Sequence, residues 1–75
     1  MAHQIEVKSV VAGLIYAMET TERARVAKGD PLIIIESMKM EIVVEAPSDG
    51  TVISLLVEKG NTVAQGQVLA VLSVS

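Results

Sequence analysis

Few side chains in this 75-residue protein are suited to chemistry, and they are not spaced as a catalytic site requires. There is no cysteine, and the one histidine, His3, lies near the N-terminus. Thiol chemistry, disulfides and cysteine metal sites are therefore excluded. No nucleophile–base pair and no metal-ligating cluster is visible, so no catalytic residue is assigned. One lysine stands in an unusual place. Between Ile33-Ile34-Ile35 and Ile42-Val43-Val44 the chain runs Glu36-Ser37-Met38-Lys39-Met40-Glu41. Two such apolar runs predict strands joined by a tight hairpin, but the turn lacks the Gly, Asn or Asp that positive φ favours. Local rules are broken where side-chain identity matters more than backbone comfort. The chemistry on offer at Lys39 is that of a primary amine. A lysine amine is ordinarily protonated at neutral pH, so its acylation requires activation by another protein. For the tripeptide alone the plainer reading, a solvated charge with Met38 and Met40 capping a core, is the better one. Its place between two strong strands, at the middle of a duplicated all-β domain with no other candidate site, reverses that.

The elements that must hold this turn follow from an internal repeat. Shifting the chain by 37 positions pairs Gly13 with Gly50, Val26 with Val63, Ala27 with Ala64, Gly29 with Gly66 and Leu32 with Leu69, without a gap. Ile5 and Val7 likewise fall on Ile42 and Val44. Four of the five glycines enter these pairs, and glycine marks backbone that needs positive φ or close approach. Strands are expected at Gln4 to Val10, Leu14 to Met18, Pro31 to Glu36, Glu41 to Ala46, Thr51 to Val57 and Val68 to Val74, from their alternation or short apolar runs. Short extended pieces are expected near residues 24–26 and 61–63. Tyr16 to Arg25 has some helical character, but its repeat partner Ile53 to Thr62 contains Gly60 and β-branched residues. Four strands per half predict an all-β flattened sandwich or barrel.

Composition agrees. Hydrophobic residues make up 51% and aromatics only 1%, so branched aliphatic side chains dominate, as in pleated, half-buried strands. The net charge of −3 and scattered lysines and arginines provide no basic stripe for nucleic acid. The longest apolar run, Leu32 to Ile35, is far too short to cross a membrane. A single domain over residues 1–75, in a soluble cytoplasmic protein, is the expectation.

The run Glu36 to Glu41, the turn Ala46-Pro47-Ser48-Asp49-Gly50-Thr51-Val52 and the ending Gly66-Gln67-Val68-Leu69 together resemble the biotinyl/lipoyl attachment domain family. The likeness is strongest to the biotin carboxyl carrier domain of biotin-dependent carboxylases, and it covers Ile5 to Val74. It implies two four-stranded antiparallel sheets with quasi-twofold symmetry and covalent biotin on Lys39. It also implies a monomeric, non-catalytic carrier that serves a biotin protein ligase, a biotin carboxylase and a carboxyltransferase. Met38 and Met40 become recognition elements in this view, as do Glu36 and Glu41 unless they serve solubility alone. Ser37 replaces the Ala that more often precedes the family's triplet. Arg23 stands where the repeat predicts Gly, so the Thr21 to Val26 turn is expected to differ in shape from its counterpart. The gapless repeat leaves no space for the inserted thumb of some bacterial carriers. A lipoyl domain, the nearest rival, usually has Asp before the lysine and a small residue after it, which Met38 and Met40 do not match. An unmodified interaction module is the rival of another kind.

Overall fold

The computed structural model describes residues 3–74, which form strands and connecting turns with no helix among them. Their order is β1 His3–Lys8, β2 Gly13–Met18, β3 Arg25–Val26, β4 Pro31–Ser37, β5 Met40–Glu45, β6 Gly50–Leu55, β7 Thr62–Val63 and β8 Val68–Val74. They make two four-stranded antiparallel sheets, ordered β1-β8-β6-β3 and β5-β4-β2-β7. The expected sandwich is thus formed, with the lysine hairpin joining the first two strands of the second sheet.

The 37-residue repeat is a repeat of structure as well as of sequence. Core residues pair across it: Ile15 with Val52, Leu32 with Leu69, Ile33 with Ala70 and Ile35 with Leu72, all essentially inaccessible to solvent. Backbone bonds outside the ladders repeat too. The Ser9 amide donates to the Gln67 carbonyl as the Ala46 amide donates to that of Asp30. Ser9 is the buried polar residue among those described, and its hydroxyl is satisfied by the backbone of Val11. Both sheets also carry a register shift at equivalent points, between Ile15 and Ala17 and between Val52 and Ser54. Such bulges sharpen local twist and bend the strand.

The glycines separate into two uses. Gly29, Gly60 and Gly66 have φ of 92°, 94° and 85°. Gly13 and Gly50 instead permit contact: a Cβ on Gly13 would lie 2.5 Å from the Glu36 carbonyl oxygen, and one on Gly50 would lie 2.6 Å from that of Ser73. Bare backbone at Gly13 lets β2 press against β4 directly beneath the hairpin.

Three expectations need correction. The first strand ends at Lys8, not Val10, because its register breaks after Val7 and Ser9 folds its hydroxyl into a turn. The strand after Gly50 ends at Leu55, not Val57. The Thr21 to Val26 turn does not change shape. Arg23 adopts φ 73°, in the same left-handed region as Gly60, and its amide donates to the Val52 carbonyl as that of Gly60 donates to Ile15. Left-handed backbone costs a non-glycine residue roughly 1–2 kcal/mol, which the surrounding bonds sustain. One of them is specific to this half: the Glu22 carboxylate accepts the Leu55 amide at 3.1 Å.

Candidate functional site

The site begins with two strands that have little freedom to shift. In β4, Leu32, Ile33 and Ile35 are wholly buried, and β5 pairs with it at Ile33–Val44, Ile34–Val43, Ile35–Ile42, Glu36–Glu41 and Ser37–Met40. A one-residue slip would bring β5's outward side chains to the core face, so the register is strongly specified. Ser37 and Met40 face each other directly, leaving Met38 and Lys39 as a two-residue loop. Their φ values are 52° and 65°. Positive φ at both central positions defines the type I′ turn, whose twist matches that of the flanking strands and which strongly prefers Asn-Gly. This chain makes it from Met and Lys, so the conformational cost noted in the sequence is present in the fold.

The turn projects all three side chains outward. Met38 is 92% exposed and Met40 65% exposed, and Lys39 is exposed between them. The reading in which the methionines cap the core is excluded by that exposure. Among the described residues the ion pair is Lys8 with Glu6, at 3.9 Å, and Lys39 takes part in none. The two broader grooves, one lined by Val7, Val10, Val43 and Pro47 and the other by Met18, Thr21, Leu55 and Val57, both lie away from it. Lys39 therefore offers an unencumbered primary amine on a convex tip, the arrangement that a covalently attached group needs in order to reach outside the protein.

Glu36 and Glu41 lie directly opposite each other just below the turn, and both are exposed. Like charges in facing positions are destabilising. The equivalent positions in the other sheet hold Ser73 and Gln4, a neutral pair. The sequence-predicted residues thus come together on one hairpin, with the amine and thioethers at its tip and the carboxylates at its base. Sequence reasoning missed Gly13, whose lack of a side chain seats the hairpin base. Its signal was the pairing with Gly50. No group of three or more His, Asp or Glu side chains suited to a metal ion occurs among the described residues. No helix among them is long and apolar enough to cross a membrane.

Comparison with known proteins agrees with this fold. The family model Biotin_lipoyl, described as "Biotin-requiring enzyme", matches residues 5–72. The mitochondrial methylcrotonoyl-CoA carboxylase subunit alpha of Arabidopsis thaliana is 41% identical over 59 residues, covering 79% of this chain and 8% of that protein. The urea carboxylase of Kluyveromyces lactis superposes with a TM-score of 0.89 at 33% identity, over 93% of this chain and 6% of its own. The lipoyl domain of the Azotobacter vinelandii 2-oxoglutarate dehydrogenase complex superposes with a TM-score of 0.76 at 23% identity, over 91% of this chain and 94% of its own. That last likeness shows the fold alone. This chain spans less than a tenth of the length of these two carboxylases. The cofactor of the matched family is biotin, and an exposed primary amine is a group to which its carboxyl can be joined. With two sheets related by a twofold, a lysine hairpin and a family match over most of its length, this chain belongs to the biotin-requiring enzyme family of biotinyl and lipoyl attachment domains.

Proposed function

We propose that residues 1–75 act as a single, monomeric carrier domain that is biotinylated on Lys39 and serves a biotin-dependent carboxylase. The observation that carries this reading is the type I′ turn built from Met38 and Lys39, with the amine exposed and unpaired at its tip. A solvated charge does not require a strained turn, whereas a fixed point of attachment gains from one that is rigid and outward. Lys39 supplies the nitrogen of an amide, and a biotin protein ligase supplies the activated carboxyl. Bound biotin would supply a ring nitrogen able to carry a carboxyl group between a biotin carboxylase and a carboxyltransferase. The domain's own residues hold the attachment point in place, and tethering raises the effective concentration of the cargo at each enzyme. Met38 and Met40 give the ligase an adaptable thioether surface on either side of the amine. Glu36 and Glu41 steer it by charge.

The test is intact mass of the protein after incubation with a biotin protein ligase, ATP and biotin, followed by peptide mapping. One biotinyl increment on the peptide containing Lys39, absent from Lys39→Arg, is expected. A free Lys39 under conditions in which a control carrier is fully modified would sink the proposal. A lipoyl increment, with a lipoate ligase only, would move the assignment to acyl transfer.

A further inference from the structure

The two outer faces of the sandwich descend from one repeat, so each is a reference for the other. A residue type that the fold demands on one face should also appear on its twofold mate. On the sheet carrying Lys39, the register sets Ala17, Ile34 and Val43 side by side across three strands. The same row of the other sheet reads Ser54, Val71 and Glu6. One row nearer the hairpin, Leu14 stands beside Glu36 where the other sheet has Thr51 beside Ser73. Leu14 is 38% exposed and Val43 48% exposed, and Tyr16, at the bulge between the two rows, is 46% exposed. The fold evidently accepts Thr, Ser and Glu at these positions, because its other half uses them. Ile34 and Tyr16 have apolar mates, Val71 and the 39% exposed Ile53, so the apolar character that folding does not require is that of Leu14, Ala17 and Val43. Exposed apolar strips rimmed by charge mark interaction sites.

The geometry points to this strip as the docking surface for the enzyme that acylates Lys39, a ligase presenting an apolar patch with basic side chains at its edge. The inference rests on the Lys39 reading above. Charge complementarity sets the partner's rim, since Glu36 and Glu41 border the strip toward the hairpin and Glu45 follows Val43 on β5. Reach selects the ligase over the later enzymes. An unmodified lysine offers only its own four-carbon stem, so the first enzyme must come against the body of the domain. Enzymes acting after acylation work at the end of a longer arm. The strip is narrow, and small interfaces suit encounters that must also end, because transient complexes bury less surface than stable ones.

The repeat supplies the experiment. A triple variant, Leu14→Thr, Ala17→Ser and Val43→Glu, gives the lysine's sheet the residues of its mate. The reciprocal variant, Thr51→Leu and Ser54→Ala, does the opposite on the other sheet, with Glu6 left in place because it lines the same groove as Val43. Initial rates of biotinylation by a purified biotin protein ligase with ATP and biotin are measured against carrier concentration, alongside thermal melts. The first variant should lose about tenfold in kcat/KM, mainly through KM, while the second keeps the wild-type value. Should the triple variant fail to fold, Leu14→Thr and Val43→Glu are read singly, each expected to lose severalfold. Wild-type kcat/KM in the folded lysine-sheet variants overturns the inference. If those variants instead lose carboxylation in an assembled carboxylase while biotinylating normally, the strip belongs to a later enzyme and the ligase assignment is likewise overturned. An unmodified Lys39 in the wild-type protein is a separate result, which removes the carrier reading itself.

Discussion

At the scale of the residue, the hairpin exchanges stability for a particular set of side chains. Met38 and Lys39 each occupy left-handed backbone, at roughly 1–2 kcal/mol apiece. Replacing the pair by Asn-Gly should stabilise the protein by about 1–3 kcal/mol in urea denaturation while abolishing acylation. A destabilised Asn-Gly variant would show that the turn is not strained. Arg23 is the same case without evident purpose. Arg23→Gly relieves the left-handed cost but returns about 0.5–1 kcal/mol of unfolded-chain entropy, so a net gain of about 0.5–1 kcal/mol is expected from the denaturation midpoint. The first of these features was legible in the sequence because two strong strands left no other place for the turn. The second was misread, since a single strained residue can be held by bonds that only the assembled fold supplies, here from Arg23 to Val52 and from Leu55 to Glu22.

At the scale of the element, close backbone contact matters more than turn chemistry. Gly13 allows β2 to lie against the Glu36 carbonyl, and Gly50 does the same for β6 against Ser73. An added methyl at either must push the neighbouring strand aside, and overpacking of this kind costs about 1–3 kcal/mol. Gly13→Ala and Gly50→Ala should therefore destabilise to similar extents by chemical denaturation. Only Gly13→Ala should also slow acylation of Lys39, because the hairpin base rests on it. Equal acylation rates would mean that the base tolerates displacement. The strands themselves were readable from alternation and apolar runs. Their ends at Lys8 and Leu55 were not, because register shifts and the Ser9 turn depend on partners distant in sequence. The outward rows that distinguish the two faces were hidden for the same reason, since only the register sets Ala17 beside Ile34 and Val43.

At the scale of the whole molecule, the core is shared equally between the halves. Leu32→Ala and Leu69→Ala remove equivalent, fully buried side chains and should each cost about 2–5 kcal/mol, read from the same denaturation curves. The molecule measures 40 × 18 × 16 Å. Both grooves straddle the twofold, since Val7 faces Val44 in one and Met18 faces Leu55 in the other. The axis thus crosses the waist, and it carries the Ser37–Met40 pair onto Val74 and His3, which are themselves paired neighbours. The place where the two ends of the described chain meet is, in geometric terms, a second hairpin lacking its loop. A circular permutant that joins Val74 to His3 through Asn-Gly and opens between Lys59 and Gly60 should keep the same sheets. Placing Met-Lys at that junction instead, with Met in place of His3, would repeat the Lys39 turn and give a carrier with two attachment points at opposite tips.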